Sequence, residues 1–382
     1  MFISGVAVFD YLEKNETNLA KDSTESFSSF EQNAYAMKNK LYTPKNQFQF
    51  MIVSRTVSYT DESGQTRDIN IAIRTPIGAD GPQPVVIWMH GGTEGSTTPV
   101  SSLKNLNVMT AKAGYVSVSI AHPVRSLMEQ EGLCNYLQVL NDPVDCEAFQ
   151  HLAWDRPHDL SAVIDYLEQL PTPWDTMLDL DNIAVGGHSN GAGAALVIAG
   201  AQRVYYPLVP SGPDITTIIG PEDFSDPRPK VFLAFSSHGP LKPGFFDSGF
   251  NQPESSWSNI SRPVLTATGD GDSSCASPIK VCLTGETPYT RKISHQRMPD
   301  NGNKFLFYIN DSSAAHNIFI LNTEKCETVS PVDKCNLFVD WLSSSSVAFL
   351  DAFLRGEPKA EQWLKSDRIE QASQNIVEWD RR

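Results

Sequence analysis

The sequence lacks the features that mark membrane-spanning and nucleic-acid-binding proteins. No apolar run in its 382 residues approaches the roughly 20 residues that a membrane-spanning helix needs. Basic residues are outnumbered by acidic ones, 30 against 45, which gives a formal net charge of -15. A negative field of that size repels phosphate backbones, so we do not expect nucleic-acid binding. Because 40% of the chain is hydrophobic, it can bury a sizeable core, and disorder throughout is excluded.

Cysteine is scarce, with six residues in the whole chain. None has the C-x-x-C spacing of a zinc or redox motif. They lie in three close pairs: Cys134 and Cys146, Cys275 and Cys282, and Cys326 and Cys335. We expect three local disulfides, and therefore a secreted or periplasmic protein; six reduced, buried thiols are the alternative. The first residues, MFISGVAVFDYLEKNE, make a poor signal peptide because no basic segment precedes the short apolar run.

Strand and helix patterns alternate along most of the chain. Residues 1–47 form a polar arm, with a helix predicted near 27–41, and residues 48–382 form a single domain. Eight strands are predicted, at 51–60, 69–75, 84–89, 115–120, 182–186, 230–235, 263–268 and 304–309. Further helices are predicted at 156–170, 190–201 and 335–353. This alternation predicts an α/β fold, with a mostly parallel eight-stranded sheet, helices on both faces and an antiparallel pair at its start.

The sharpest local motif is Gly187-His188-Ser189-Asn190-Gly191, between a predicted strand and a predicted helix. This is G-x-S-x-G in the context of a nucleophile elbow, in which a strained turn projects the serine hydroxyl from the sheet edge. Only small residues two positions before and after the serine avoid a clash. We therefore expect Ser189 to be a nucleophile, with His188 packing or hydrogen bonding beside the turn.

A serine hydroxyl needs a base, and the base needs a carboxylate, in the chain order serine, acid, histidine. His316 follows the strand at 304–309 and is the expected base, whereas His295 precedes that strand and is the weaker alternative. Asp272 is the expected acid because the turn after Gly269 can swing it towards the site. Asp270 remains open as the alternative acid.

The strand at 84–89 ends in His90-Gly91-Gly92-Thr93. Such a glycine-rich turn lets backbone N–H groups approach a substrate oxygen without obstruction by side chains. We expect an oxyanion hole made by the N–H of Gly92 or Thr93 and by the N–H of Asn190.

Two insertions, at about 122–146 and 236–260, follow the carboxyl ends of strands, where open α/β sheets carry their sites. His238, Phe250 and Trp257, in the second insertion, are candidate substrate-binding residues of an apolar pocket. Packing under a long loop is the alternative role for each of them.

These motifs together resemble the α/β-hydrolase superfamily over roughly residues 50 to 355. The elbow GHSNGAG, the segment Arg156-Pro157-His158-Asp159 and the segment Trp257-Ser258-Asn259-Ile260 are most similar to the dienelactone-hydrolase-like branch. That branch includes plasma-type platelet-activating-factor acetylhydrolases and is related to bacterial polyester hydrolases. Two departures are Asn190, where relatives often carry a bulky apolar residue, and a serine nucleophile in place of the cysteine of dienelactone hydrolase itself.

The resemblance implies a serine carboxylic-ester hydrolase that needs no cofactor or metal. Its substrates would be short-chain, lipid-type, aromatic or polymeric esters. A peptidase or amidase on the same fold is an alternative, although the sequence shows neither the propeller nor the large helical cap that such peptidases usually carry. A non-catalytic binding protein is a second alternative, although such proteins typically lose a member of the triad.

Overall fold

The computed structural model describes residues 39–92, 96, 98–137, 149–205, 219–240, 250–273, 286–322 and 332–382. Residues 40–382 form one compact unit. Residues 40–47, which the sequence assigned to the polar arm, belong to this unit: the Trp363 indole donates to the Lys40 carbonyl, and the Tyr42 hydroxyl donates to Asp351. The helix predicted at 27–41 lies almost wholly outside the described residues.

A nine-stranded mixed sheet forms the centre of the molecule. Its strands, in chain order, are β1 (Phe50–Thr60), β2 (Thr66–Pro76), β3 (Gln83–Met89), β4 (Val116–Ala121), β5 (Leu178–His188), β8 (Pro229–Phe235), β10 (Val264–Gly269), β11 (Lys304–Ile309) and β12 (Val377–Arg381). Their order across the sheet is β1-β2-β4-β3-β5-β8-β10-β11-β12. The strands from β4 to β11 are parallel, whereas the pairs β1–β2, β2–β4 and β11–β12 are antiparallel.

The structure confirms the α/β class, the mostly parallel sheet and the antiparallel first pair, but it adds a ninth strand. β12 lies at the sheet edge, antiparallel to β11, and reads VEWDR. Val377 and Trp379 are buried on its inner face, and charged residues alternate with them. This strand is short and mostly polar, so its residues carry too weak a hydrophobic pattern to stand out in the sequence.

Helices cover both faces of the sheet. They are α1 (Lys104–Lys112), α2 (Leu127–Leu137), α3 (Phe149–Glu168), α4 (Asn190–Ile198), α5 (Pro288–Arg297), α6 (Val332–Leu354), α7 (Pro358–Leu364) and α8 (Arg368–Ala372). Alternate residues of β3 enter two separate hydrophobic clusters, Val85 and Ile87 in one and Val86 and Trp88 in the other. Helices α3, α4 and α5 pack into the first cluster, and α1, α6, α7 and α8 pack into the second. A strand buried on both faces explains its continuous apolar sequence.

Five of these helices were not predicted, namely α1, α2, α5, α7 and α8. The buried face of α5 shows why, because it consists of Arg291, Ile293, Ser294 and His295, only one of which is apolar. A helix whose buried side chains are polar leaves no apolar stripe for periodicity to detect.

One described helix, spanning Lys334–Leu354, is long and apolar enough to cross a membrane by length and composition. In this structure 67% of it is buried inside the protein, as in the core helix of a globular domain. The described residues therefore contain no clear transmembrane segment.

A small second sheet holds part of the predicted insertion at 236–260. It consists of β6 (Arg203–Tyr205), β7 (Ile219–Glu222) and β9 (Phe250–Asn251), in the order β7-β6-β9. The first insertion, at 122–146, contains α2, and its residues 138–146 lie outside the described part of the chain.

Cys335, near the start of α6, is buried and disulfide-bonded. The side chains of the other five cysteines lie outside the described residues. No pair can be assigned among the described residues, so the expected pairing and the location outside the cytoplasm stay predictions.

Candidate active site

The carboxyl ends of the parallel strands place the sequence-predicted residues at one edge of the sheet. β5 leads into Ser189, β10 into Asp272, β11 into His316 and β3 into Gly92. A hydrogen bond aligns the ends of β5 and β8, since the Ser189 N–H donates to the Phe235 carbonyl at 3.0 Å. This is the edge at which open α/β sheets carry their ligands.

Ser189 lies at a strained turn between β5 and α4. Its φ of 55° and ψ of -121° are unusual for a residue with a side chain. Such a conformation persists only where the surrounding structure enforces it, and it is typical of functional sites. The backbone around Ser189 therefore has the form that the G-x-S-x-G motif predicts.

Gly187 and Gly191 are both required by the close packing of this turn. A Cβ on Gly187 would come within 2.3 Å of the Gly191 backbone. A Cβ on Gly191 would come within 2.1 Å of the Met89 carbonyl oxygen, at the end of β3. The expectation that only small residues fit two positions on either side of Ser189 is confirmed.

His316 and Asp272 form a hydrogen-bonded pair. The His316 Nδ1 lies 2.7 Å from Asp272 Oδ1, while the His316 side chain is 30% exposed and that of Asp272 is fully buried. Burial alone would raise the pKa of Asp272, but the hydrogen bond from His316 and the charge of Arg291 lower it to about 2. Asp272 is therefore an anion, and it accepts from Nδ1 so that His316 Nε2 is left for another partner.

Two further side chains hold Asp272, and neither was identified from the sequence. Thr268 Oγ1 donates to Asp272 Oδ2 at 2.8 Å. Arg291 Nε donates to the Asp272 carbonyl at 3.1 Å and lies 3.4 Å from Asp272 Oδ1. Arg291 lies on α5, 19 positions after Asp272 in the chain, so sequence spacing carries no signal for this contact.

The alternative acid, Asp270, and the alternative base, His295, bond to other partners. Asp270 accepts a hydrogen bond from the Tyr308 hydroxyl at 2.5 Å. The His295 Nε2 lies 3.0 Å from Asp380 on β12, and Asp380 pairs with Leu306 near the start of β11. His295 thus faces the amino end of β11, at the opposite end of that strand from His316.

The loop that carries Asp272 and the loop that carries His316 contact each other, and the second also contacts the elbow. A Cβ on Gly271 would come within 2.3 Å of the Ser312 carbonyl oxygen, so the two loops pack backbone to backbone. His188, directly before Ser189, donates from Nε2 to the His316 carbonyl at 3.0 Å, and the two rings are 4.3 Å apart. Burial lowers the pKa of His188 to about 3. A neutral His188 therefore connects the loop that carries His316 to the elbow, which agrees with its predicted packing role.

The glycine-rich turn after β3 lies against the elbow. A Cβ on Gly91 would come within 2.7 Å of Ser189 Cβ. The Gly92 carbonyl accepts from Arg156 at 2.7 Å and from the Asn190 side-chain amide at 3.0 Å. Asn190 is the first residue of α4, so its N–H is one of the helix N–H groups without an intrahelical partner. Thr93, the other expected oxyanion donor, lies outside the described residues.

The expected pocket residues have different surroundings. Trp257 is fully buried in the core cluster that contains α3 and α4. The side chain of Phe250 lies outside the described part of the structure. His238 is half-buried, and its ring bonds to Asn190 and Glu286. Of the three, His238 alone is described with a side chain beside the elbow.

A scan against protein-family models and a search of curated proteins find no match for this chain. The geometry of the site therefore carries the functional argument. Among the described residues, no group of three or more His, Cys, Asp or Glu side chains is arranged to hold a metal ion.

Proposed function

We propose that the protein is a serine carboxylic-ester hydrolase. The observation that carries this proposal is the convergence of a strained Ser189 and of a partly exposed His316 on a buried Asp272 at one sheet edge, connected by the His188 hydrogen bond. Strand, strained serine and helix in this order also support the α/β-hydrolase fold that the sequence resembles.

In the proposed reaction, Ser189 Oγ attacks the ester carbonyl while His316 Nε2 takes its proton. Asp272, anionic and hydrogen-bonded to Nδ1, stabilises the imidazolium that forms. The same proton then passes from His316 to the leaving alcohol, which leaves an acyl group on Ser189. Water, deprotonated by His316, attacks this acyl-enzyme, releases the acid and restores the serine.

Negative charge on the carbonyl oxygen would be stabilised by the N–H groups of Gly92 and Asn190. Arg156 supports this arrangement because it donates to the carbonyls of His90 and Gly92 and so fixes two peptide units of the turn. A preorganised donor of this kind is worth on the order of 10²- to 10³-fold in kcat. The proposed chemistry needs no metal or cofactor.

The test is labelling with a fluorophosphonate probe, followed by mass mapping of the labelled peptide. We expect one adduct on Ser189, no adduct there in Ser189→Ala, and strongly slowed labelling in His316→Ala. Ser63→Ala, in the turn between β1 and β2, is the matched control and should label like the wild type. Labelling elsewhere, or equal labelling in His316→Ala, would contradict the proposal.

Substrate class is tested with p-nitrophenyl esters of graded acyl length and with a matched anilide. We expect the ester to be cleaved far faster than the anilide. Comparable rates on the two would favour an amidase, and an unreactive Ser189 would favour a binding protein on the same fold.

A further inference from the structure

Beside the elbow, a second histidine–carboxylate pair lies outside the triad. His238 follows β8, and its Nδ1 contacts the Glu286 carboxylate, which is buried. Its Nε2 lies 2.5 Å from Asn190 Oδ1. Asn190 directly follows Ser189, so this pair reaches the residue next to the nucleophile.

The hydrogen-bond partners define which ring nitrogen of His238 donates to Asn190. The Asn190 amide donates from Nδ2 to the Gly92 carbonyl, which can only accept, so its Oδ1 faces His238. Glu286 presents a carboxylate oxygen to the other ring nitrogen. The Asn190 Oδ1 can only accept, so the ring carries a proton on Nε2 and donates it to Asn190.

The contacts of Asn190 connect His238 to the turn that contains Gly92. One end of its amide accepts from His238, and the other end donates to the Gly92 carbonyl at 3.0 Å. The Gly92 carbonyl and the His238 Nε2–H favour the same amide orientation, because the flipped form would turn an oxygen towards the carbonyl and an NH2 group towards the N–H. The His238 Nε2–H therefore stabilises the amide orientation that holds Gly92.

Arg291 joins the same pair to the acid. It donates to Glu286 at 3.1 Å, to the Ser237 carbonyl at 2.9 Å and to the Asp272 carbonyl at 3.1 Å. Arg291 is fully buried, and it compensates the negative charge of Glu286 as well as that of Asp272. The Arg291 guanidinium thus contacts both Asp272 and the His238–Glu286 pair that holds Asn190.

We propose that His238 and Glu286 are positioning residues that fix the Asn190 side chain, and through it the Gly92 turn, for transition-state binding. This inference rests on the proposed ester hydrolysis. It assigns His238 a role different from the apolar pocket expected from the sequence. His238 is expected to act through Asn190 and not through contact with the substrate.

The kinetic test compares His238→Ala, His238→Gln, Glu286→Gln and Asn190→Ala with His295→Gln, a matched change of a buried histidine that is bonded to Asp380. We expect His238→Ala and Glu286→Gln to lower kcat on the order of 10²-fold, the scale of a small misplacement in an active site. KM should stay within about two-fold because ground-state binding is not removed. His238→Gln should recover part of kcat because its amide can donate to Asn190, and His295→Gln should match the wild type.

A double-mutant cycle separates positioning from substrate contact. If His238 acts through Asn190, His238→Ala combined with Asn190→Ala is no slower than Asn190→Ala alone. Multiplying effects with a raised KM would overturn the proposal. Thermal unfolding of each variant checks the fold, and Glu286→Gln, which keeps shape, serves if His238→Ala does not fold.

Nitrogen-15 NMR of the histidine side chains provides a readout that does not depend on activity. We expect the Nε2 of His238 to be protonated in the wild type, because it donates to Asn190 Oδ1. An unprotonated Nε2 in the wild type would overturn the inference. Normal labelling of Ser189 with unaffected His238 variants would overturn this inference alone, whereas a wild type that neither labels nor cleaves esters would overturn the proposed function as well.

Discussion

Two of the histidine–aspartate pairs among the described residues bond through the histidine Nδ1 and look alike in geometry. His316 and Asp272 are 2.7 Å apart, and His122 and Asp159 are 2.9 Å apart, each through the histidine Nδ1. Both histidines follow the carboxyl end of a strand of the same sheet. The His316 side chain is 30% exposed, however, whereas that of His122 is 1% exposed.

The environments of the two aspartates explain the difference. Asp159 accepts from both Nε and Nη2 of Arg67, at 3.0 and 3.1 Å, and from the Tyr59 hydroxyl. These partners lie on β1 and β2, so the pair ties the antiparallel end of the sheet to α3. Asp272 is instead held by Thr268 and Arg291 beneath a histidine that reaches solvent. A histidine–aspartate pair therefore indicates catalysis only where its outer nitrogen can be reached from beside a nucleophile.

The largest expected effect is on the exposed pair. His316→Ala should lower kcat by on the order of 10⁶-fold, as loss of the base does in serine hydrolases that act through a triad. The thermal midpoint should change little, since the side chain is partly exposed. Ester hydrolysis and thermal unfolding measure the two quantities. A variant that keeps more than about a hundredth of wild-type kcat would show that His316 is not the base.

Asp272→Asn should lower kcat by about 10⁴-fold, because the amide favours the wrong histidine tautomer. Asp270→Asn is the matched control in the same loop. It should weaken only the hydrogen bond from the Tyr308 hydroxyl. Steady-state kinetics of the two variants decide between them. Equal losses would leave the identity of the acid open again.

A change in the buried pair, His122 and Asp159, should lower the free energy of unfolding and affect kcat far less. Asp159→Asn removes the charge that Arg67 and His122 share in the interior. Breaking such a pair costs about 3–5 kcal/mol. Urea unfolding measures the loss, and kcat per folded molecule should fall much less than in Asp272→Asn. An unchanged midpoint would mean that the buried pair does not stabilise the fold.

Much of the fold and of the arrangement of Ser189, Asp272 and His316 at one sheet edge was predictable because local chemistry dictates it. The strands buried on both faces are continuous apolar runs, and the elbow requires glycines at 187 and 191. Supporting residues were not predictable, because their partners are distant in the chain. Arg156 reaches Gly92, and Arg291 reaches Asp272, without any spacing that marks them. The contact between His238 and Glu286 also escaped prediction, since 48 residue positions separate the two in the chain.

The smallest expected effect concerns the pH dependence of stability, and it separates the two pairs further. Burial lowers the pKa of His122, and Asp159 raises it only in part, so the folded protein keeps this ring neutral. Below about pH 6.5, the usual pKa of histidine, the unfolded chain binds a proton that the folded chain does not. The free energy of unfolding therefore falls with decreasing pH by up to about 1.4 kcal/mol per unit from this residue.

His122→Gln should remove that contribution. Burial raises the pKa of Asp155 to about 6, which acts in the opposite direction, but Asp155 is present in both proteins, so the difference between them isolates the histidine. Urea unfolding from pH 4.5 to pH 7 should give a flatter profile for His122→Gln than for the wild type. The pKa of Asp272, at about 2, lies below this range and does not interfere. Parallel profiles would mean that the folded and unfolded chains protonate His122 at the same pH, and this prediction would then be wrong.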